Sequence, residues 1–298
     1  HPNIAIITAI GSMPTHVEFF ESPDKVAEEK AKLVQAISEN GTVILNADDK
    51  MTLSMKSKTK AKIITYGFGP EATMRASGYK LLTEHGKPSG ITFKIDYDGK
   101  TMPIKIHGLI GMQNAYALLA AASLGASRGL HLVEIGEGLA QCKPLPGRLN
   151  PIEGVRDTLL IDDSYNASPI ASLAALDVLE SISMRKKIAV LGDMLELGKY
   201  TTEEHRKIGE AAGRVADVVI GVGLRAKYME EASSKPFHWF SNADQAGGFL
   251  KEFIGEGDVI LIKGSQSMRM EKITECLMAH PEDAQRLLVR QDSYWKKH

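Results

Sequence analysis

Short apolar runs that alternate with helix-like stretches constrain the fold more than any other feature of this sequence. Continuous runs rich in Val, Ile and Leu are typical of strands buried on both faces of a parallel sheet. The strand candidates are residues 4–8, 43–46, 61–67, 158–162, 187–192, 217–223 and 258–264. The helix candidates are residues 23–39, 111–129, 132–141, 169–183, 202–215, 243–254 and 267–279. The alternation predicts the α/β class, with parallel sheets covered by helices on both faces.

The segment formed by residues 90–108 departs from this alternation. Polar and apolar residues alternate on either side of Asp98-Gly99, a dipeptide typical of hairpin turns. We therefore expect an antiparallel ribbon beside the main sheet. Gly99-Lys100-Thr101 imitates the end of a phosphate-binding loop, but the GxxxxGK[S/T] pattern requires glycine where Lys94 stands. The sequence predicts a hairpin here and no phosphate-binding loop.

A proline-rich segment marks the predicted domain boundary. At 298 residues the chain is long enough for two domains with separate cores. Lys143-Pro144-Leu145-Pro146-Gly147 follows a helix candidate and precedes a new strand pattern, as linkers do. We place the boundary near residue 146, which gives domains 1–145 and 146–298. The same segment favours a hinge at Gly147 that closes the second domain on a ligand.

The charge and cysteine content exclude several classes of function. The 36 basic residues balance 37 acidic ones, so no overall field draws the chain to nucleic acid or to an anionic membrane. Cys142 and Cys276 lie far apart and share no metal-ligand spacing with histidines, which argues against a disulfide framework or a zinc site. No run approaches the ~20 apolar residues of a membrane span. We expect a cytoplasmic, monomeric protein without nucleic-acid or membrane partners.

The segment LLIDDSYNASP, residues 159–169, ends a buried strand candidate with a group of polar side chains. Open α/β sheets bind ligands beside the carboxyl ends of their strands, so this position favours a site. A helix cap is the simpler interpretation of Ser168 and Pro169, which suit the N-cap and the first helical position. Capping leaves four polar residues unexplained, namely Asp162, Asp163, Tyr165 and Asn166. The cluster therefore predicts a functional site.

Two further strand candidates also end in polar residues. One is followed by Gly-Asp within residues 190–198, and the other by Lys-Gly-Ser within residues 261–271. Strand ends of this kind meet at one rim of a doubly wound sheet, so Asp193, Lys263 and Ser265 are predicted to line a common pocket. Each of these segments taken alone is equally consistent with an ordinary turn.

The ordered set of motifs in the second half resembles a known family. The set comprises GRL at 147–149, DDSYNASP at 162–169, LGDMLELG at 191–198, His205 and KGSQSMRME at 263–271. It is similar to the C-terminal domain of the Mur ligases, and DDSYNASP with GDMLELG is most similar to the branch that adds D-alanyl-D-alanine.

The first half resembles the later part of the central domain of the same family. The similar segments are PNIAIITAIG at 2–11, HVEFF at 16–20, KVAEEKAKL at 25–33, VILNADD at 43–49 and GMQNAYALLAA at 111–121. The resemblance implies a remnant of a P-loop-type central domain with an antiparallel ribbon, followed by a Rossmann-like C-terminal domain. The family's sugar-nucleotide domain and its phosphate-binding loop would precede His1, so we expect a chain cut from something longer and inactive alone.

The resemblance also implies an activity. ATP, together with Mg²⁺, would phosphorylate the carboxylate of a UDP-N-acetylmuramoyl tripeptide, and the amine of D-alanyl-D-alanine would attack the acyl phosphate. The small-molecule reactants are anionic, so such chemistry depends on positioning and charge neutralisation. The product would be a peptidoglycan precursor.

Lys30 and His16 match the residues that serve the magnesium site in the family. The matching lysine is carbamylated there, which converts a cation into an oxygen ligand suited to Mg²⁺. The alternative interpretation, which does not use the motif, is that Lys30 is a solvated helix lysine and His16 a loop histidine. Together with Arg148, these two residues are the predicted catalytic set.

The resemblance distributes the other site residues between nucleotide and substrate. Arg148 matches an arginine that reaches the γ-phosphate, and its alternative is a linker salt bridge. Asn46 and Asn114 match positions near the adenine or ribose, and their alternatives are a turn amide and a helix-face amide. The predicted nucleotide-binding residues are Asn46, Asn114, Arg148, Asp163 and Tyr165. The predicted substrate-binding residues are Asn166, Asp193, Lys263 and Ser265.

Several positions depart from the family pattern. Ala9 and Ala117 stand where asparagine is usual, Ser168 replaces another asparagine, and two extra residues separate Gly11 from His16. Three alternatives remain: another ligase of the same superfamily, such as a folylpolyglutamate synthase, a non-catalytic binding module, and a nicotinamide-binding protein. The last is disfavoured, because Gly-Val-Gly at 221–223 does not continue into GxGxxG.

Overall fold

The chain folds into two compact units in a computed structural model that describes residues 2–14, 16–183 and 186–297. The first unit comprises residues 1–82, 90–107 and 112–143. The second comprises residues 83–89, 108–111 and 144–298, and the last crossing between the units falls between Lys143 and Pro144. Each unit contains a six-stranded sheet.

The first unit has its strands in sequence order, β1 to β6. The strands are β1 Ile4–Ile7, β2 Thr42–Asn46, β3 Lys62–Gly67, β4 Met74–Glu84, β5 Lys87–Tyr97 and β6 Lys100–His107. The helices are α1 Pro23–Gln35, α2 Lys50–Ser54, α3 Met112–Ser127 and α4 Leu132–Ala140. β1, β2 and β3 are parallel, and β5 pairs antiparallel with β6.

The antiparallel strands are part of the main sheet, which corrects the expectation of a ribbon beside it. β4 continues the sheet by pairing in parallel with the end of β3, where Tyr66 faces Met74. The expected hairpin turn is present, with Asp98 at φ 51° and Gly99 at φ 72°. Two adjacent left-handed residues are the geometry of a type I′ turn. Gly99-Lys100-Thr101 therefore belongs to a hairpin, as predicted.

Helix α1 shows how the first unit divides its residues between core and surface. Ser22 accepts a hydrogen bond from the Lys25 amide at 3.4 Å and Pro23 opens the helix, which is the expected N-cap arrangement. The face that carries Ala31 and Val34 is buried in a cluster with Val43 and Leu45 of β2. The opposite face remains in contact with solvent.

The second unit is a doubly wound sheet with the strand order β11-β10-β9-β12-β8-β7. Its strands are β7 Asn150–Glu153, β8 Leu159–Asp163, β9 Lys187–Gly192, β10 Val218–Val222, β11 Phe237–Phe240 and β12 Val259–Lys263. Its helices are α5 Pro169–Ser181, α6 Thr201–Val215, α7 Lys227–Glu230, α8 Ala243–Phe253, α9 Glu271–Leu277, α10 Ala284–Leu287 and α11 Ser293–Lys297. All neighbouring strands are parallel except β7 and β8. The Rossmann-like prediction is confirmed.

Strand β12 occupies the centre of this sheet, between β8 and β9. Helices α8 and α9 pack on each other and bury Leu250 and Ile273 against Val190 and Ile262 of the sheet. Helices α5 and α6 pack on each other and contribute nothing to that core cluster. The helix after β12 and the helix after β8 therefore lie on different faces, and this reversal opens a crevice at the carboxyl end of β12.

No helix within the described residues is long and apolar enough to cross a membrane.

Candidate functional site

A buried ion pair joins the carboxyl ends of β8 and β12. Lys263 and Asp163 face each other in the strand register, and the Lys263 ammonium lies 2.7 Å from Asp163 Oδ2. The same ammonium donates to the Asn166 carbonyl oxygen at 2.9 Å. The two side chains are 1% and 8% exposed, so the pair is almost fully removed from water. Two strand ends predicted to converge therefore meet through opposite charges.

The two carboxylates of DDSYN bind the linker that precedes β7. Asp162 Oδ2 accepts from the Gly147 amide at 3.0 Å, and Asp163 Oδ1 accepts from the Leu149 amide at 3.2 Å. Asp162 Oδ1 also accepts from the Thr274 hydroxyl at 3.0 Å. Complete burial raises the pKa of Asp162 to about 6, in spite of these hydrogen bonds. The carboxylates fix the chain at the start of the second unit.

Gly147 is fixed to the second unit through both of its polar backbone groups, and a hinge in this linker stays a prediction. Its carbonyl oxygen accepts from the Tyr165 amide at 3.1 Å, while its own amide donates to Asp162. Its φ of 68° favours glycine, and a Cβ atom here would lie 2.9 Å from the Tyr165 nitrogen.

Arg148 and Tyr165 form a partly exposed platform beside the buried pair. The Arg148 Cζ atom lies 4.2 Å from the centre of the Tyr165 ring, a cation–π geometry. Arg148 is exposed and Tyr165 is 44% exposed, so both retain access to solvent. A guanidinium group suits the oxygen atoms of a phosphate, and an aromatic ring offers a stacking surface. This platform can bind a planar or phosphorylated anion.

The rest of the DDSYN loop is occupied by local hydrogen bonds. Asn166 Oδ1 accepts from the Ala167 amide at 2.9 Å. Ser168 accepts from the Ala171 amide at 3.4 Å and caps α5, with Pro169 at the first helical position. The capping interpretation therefore accounts for Ser168 and Pro169.

Asp193 and Ser265 meet at the same rim and hold its loops together. Ser265 donates its amide to the Asp193 carbonyl oxygen at 3.0 Å, and its hydroxyl accepts from the Leu195 amide at 2.9 Å. Asp193 Oδ1 accepts from the Ala226 amide at 2.7 Å. Both residues are buried, 4% exposed each. Their polar atoms fix the backbone of the loops that follow β9 and β12.

His205 also stabilises this loop. Its Nε2 atom accepts from the Met194 amide at 3.0 Å, so the ring proton sits on Nδ1, 2.7 Å from the Thr201 carbonyl oxygen. Burial lowers the pKa of His205, which keeps the imidazole neutral. The histidine of the motif is thus a structural residue in this conformation.

In the first unit, Asn46 ties the ends of two strands together. Its amide nitrogen donates to the Thr8 carbonyl oxygen at 2.8 Å, and its Oδ1 accepts from the Asp48 amide at 2.9 Å. Asn46 is 7% exposed. Its side chain is therefore a structural link between the segments after β1 and β2, in addition to any role with a nucleotide.

Sequence reasoning missed the two aspartates that follow Asn46. Asp49 Oδ2 accepts from the amides of Ile10 and Gly11 at 3.1 and 2.7 Å. Asp48 accepts from the Phe68 and Gly69 amides and from the Tyr116 hydroxyl, at 2.6, 2.9 and 2.7 Å. The signal was available in NADD, where two carboxylates directly follow a buried strand. These residues shape the loops at the carboxyl ends of β1 and β3.

The predicted metal residues lie at the surface of the first unit. Lys30 is exposed on α1, and His16 is exposed, with a left-handed φ of 66°. Asn114 is half-buried in α3. Within residues 2–14, 16–183 and 186–297, His, Cys, Asp and Glu nowhere form a group of three suited to a metal ion. An amine and an imidazole are poor ligands for Mg²⁺, so these residues alone do not make a magnesium site.

Both halves of the chain match known protein families. Residues 1–125 match the family described as Mur ligase middle domain, and residues 147–266 match the family described as Mur ligase, glutamate ligase domain. Over 279 residues the chain is 33% identical to UDP-N-acetylmuramoyl-tripeptide:D-alanyl-D-alanine ligase of Escherichia coli, covering 93% of this chain and 60% of that protein. The Bacillus subtilis ligase of the same name is 30% identical, with coverage of 94% and 60%.

Solved structures agree with this result. The crystal structure of MurF from Acinetobacter baumannii superimposes with a TM-score of 0.81 at 26% identity, covering 92% of this chain and 59% of that one. MurF from Thermotoga maritima in complex with ADP has the same fold, with a TM-score of 0.79 at 23% identity and coverage of 95% and 63%. The chain thus spans about 60% of the length of the curated relatives it matches. It belongs to the Mur ligase family, with the middle domain in its first half and the glutamate ligase domain in its second.

Proposed function

We propose that this chain carries the larger part of an ATP-dependent ligase that joins D-alanyl-D-alanine to a UDP-N-acetylmuramoyl tripeptide. The Arg148–Tyr165 platform carries the proposal, because it places an exposed guanidinium group at the ligand-binding rim of the second unit. The names of the relatives supply the substrates, and the motifs DDSYNASP and GDMLELG support the same branch.

The reaction needs positioned cations more than it needs a nucleophile from the protein. The substrate carboxylate attacks the γ-phosphorus of ATP, the bond to the bridging oxygen breaks, and ADP leaves. The dipeptide amine then attacks the acyl phosphate, loses a proton and expels phosphate, which leaves an amide. Each reactant except the amine is anionic, so charge neutralisation and alignment lower the barrier.

In this proposal Arg148 binds phosphate oxygen atoms of the nucleotide, and Tyr165 supports it through the ring contact. Asp163 and Lys263 hold the loop beneath the platform, since both are buried against each other. Asn166, Asp193 and Ser265 form the wall on the substrate side. Asn46 and Asn114 contribute to the adenine or ribose pocket of the first unit.

Lys30 and His16 remain the proposed contribution to a magnesium site. Carbamylation would give Lys30 two oxygen atoms, the donor type that Mg²⁺ prefers. The remaining ligands would come from the nucleotide, water or other parts of the complete protein, and no step above is routed through the metal.

Phosphate release tests the proposed function. The complete gene product that contains this chain is assayed with ATP, a UDP-N-acetylmuramoyl tripeptide and one amine at a time. D-alanyl-D-alanine should stimulate release, whereas L-alanine, D-glutamate and diaminopimelate should not. Stimulation by glutamate with a folate substrate would identify the superfamily alternative, and no stimulation by any amine would support a binding module. The 298-residue chain assayed in parallel should release no phosphate above background, since it contains no GxxxxGK[S/T] motif.

A further inference from the structure

A buried arginine near the end of the chain contacts the backbone of the DDSYN loop. Arg290 donates through Nη2 to the Tyr165 carbonyl oxygen at 2.6 Å and through Nη1 to the Ser164 carbonyl oxygen at 3.2 Å. Its Nη1 atom also donates to Glu271 Oε2 at 2.8 Å. The side chain is only 4% exposed. One planar guanidinium group therefore joins two consecutive loop carbonyls to a carboxylate of α9.

Glu271 supplies the negative charge that compensates the buried guanidinium group of Arg290. It is 1% exposed and accepts from Arg290 and also from Arg269 Nε, the latter at 2.6 Å. A buried guanidinium group is stable only when paired and hydrogen-bonded, and Glu271 meets that requirement for Arg290. Two arginines share one carboxylate, so a positive charge remains next to the platform.

Aromatic contacts extend the same network to the C-terminal helix. The Arg290 Cζ atom lies 5.9 Å from the Tyr165 ring centre and 5.8 Å from that of Trp295. Tyr165 is therefore close to two guanidinium groups, Arg148 at 4.2 Å and Arg290. A Cβ atom on Gly147 would lie 3.0 Å from Val289 Cγ1, so the residue before Arg290 packs on the linker.

The backbone of Arg290 is itself constrained. Its φ of 58° is left-handed, a conformation that a non-glycine residue keeps only when its surroundings hold it. Residues 164–167 lie between β8 and α5, so strand pairing and helix bonds leave the Ser164 and Tyr165 carbonyls unsatisfied. Arg290 supplies the donors that regular structure does not.

We propose that Arg290 is a positioning residue for the ligase reaction. It fixes the Ser164–Tyr165 backbone, thereby sets the Tyr165 ring, and through the ring orients Arg148 toward the nucleotide phosphates. Arg290 does not touch the substrate itself. The kinetic part of this inference rests on the proposed function, while the structural part stands on the contacts alone.

Hydrogen exchange in the complete gene product tests the structural part. Arg290→Met keeps the length of the side chain but removes every donor. Exchange in residues 163–168, including the Tyr165 amide, should accelerate by at least about tenfold, while β10 and α8 keep their protection. The matched control is Arg286→Met, because Arg286 is 70% exposed and pairs with Asp283 at the surface. Should Arg290→Met fail to fold, Arg290→Lys retains the charge but cannot span both carbonyls, and it should show the same local acceleration.

Kinetics test the positioning itself. In the ligase assay Arg290→Met should raise KM for ATP by about tenfold and change kcat less, because the lost interaction orients the ATP-binding group. In an Arg148→Gln background the same substitution should have little further effect on KM, since both changes act through one pair of groups. Additive effects of the two substitutions would overturn the proposal.

The two measurements separate the possible failures. A lowered melting temperature with unchanged exchange at 163–168 would show that Arg290 only stabilises the unit, and it would overturn the proposal. Accelerated exchange in a protein that shows no ligase activity with D-alanyl-D-alanine would leave the structural coupling intact and refute the proposed function instead.

Discussion

The two metal candidates of the first unit and the central ion pair of the second unit differ sharply in burial. In the first unit Lys30 and His16 lie exposed at the surface, whereas in the second Asp163 and Lys263 are almost fully buried and paired. The buried residues take their geometry from the protein before any ligand arrives. Lys30 and His16 instead remain accessible to solvent. Matching a motif therefore says little about how a residue works, and burial with its partners says much more.

Removal of one buried charge is expected to have the largest effect on stability. Lys263→Met leaves Asp163 buried without its counter-charge and should lower the free energy of unfolding by about 3–5 kcal/mol. Urea denaturation followed by circular dichroism measures this change. Lys251→Met is the control, because Lys251 is exposed on α8 and should lose less than about 0.5 kcal/mol.

A double variant sharpens this prediction. Asp163→Asn combined with Lys263→Met removes both charges, and it should be more stable than Lys263→Met alone. If Lys263→Met unfolds at the same urea concentration as the wild type, the ion pair does not organise the second unit.

Buried Asp162 should make stability depend on pH. Burial raises its folded pKa from 3.8 to about 6, so the fold favours the protonated form. The preference for protonated Asp162 adds to the free energy of unfolding. This addition is complete below about pH 3.8 and is lost as the pH rises through about 6. Asp162→Asn imitates the neutral form, and its amide can accept from Gly147 and donate to Thr274. Between pH 4 and 8 the wild type should lose about 2 kcal/mol relative to this variant.

Urea denaturation at a series of pH values measures the difference between the two proteins. Asp244→Asn is the control, because Asp244 is an exposed carboxyl of α8. Its free energy of unfolding should depend on pH in the same way as that of the wild type. Parallel curves for Asp162→Asn as well would mean that Asp162 does not titrate in this range.

The exposed residue of the first unit should show the smallest effect on stability. Lys30 lies on the solvent face of α1. The substitution Lys30→Ala should therefore change the free energy of unfolding by less than about 0.5 kcal/mol. In the complete gene product it should nevertheless abolish most ligase turnover, and added bicarbonate should not restore it. Lys32→Ala is the matched control on the same helix, where Lys32 pairs with Glu29 at the surface. Wild-type turnover in Lys30→Ala would remove Lys30 from the site.

The sequence predicted the buried strands because their apolar runs are continuous. The runs at 187–192 and 258–264 correspond to β9 at Lys187–Gly192 and β12 at Val259–Lys263. It did not predict β4 of the first unit, nor β7 and β11, which are short strands at the edges of the second sheet. An edge strand such as Phe237–Phe240 is only half-buried, so its pattern is weaker than that of a central strand. The predicted helix at 267–279 begins later, at Glu271.

The site was predictable where it follows from strand topology. The rule that parallel strands end at one rim brought Asp163 and Lys263 together before any coordinates were known. Arg290 was not predictable in this way, because it belongs to no motif and lies far along the chain from Tyr165. Its role depends on where the C-terminal segment packs, which is tertiary information. The hairpin within residues 90–108 was predicted from its local pattern, a turn dipeptide between alternating residues, whereas its membership of the main sheet was not predicted.

The central position of β12 sets the order in which the sheet of the second unit can form during synthesis. The ribosome makes this strand after β8, β9, β10 and β11, yet it must insert between β8 and β9. Until Val259 emerges, those two strands each present an open edge of the kind that pairs promiscuously with other chains. Until then Asp163 also lacks the Lys263 ammonium group that pairs with it in the folded unit. The six-stranded sheet can therefore be completed only after β12 has been synthesised.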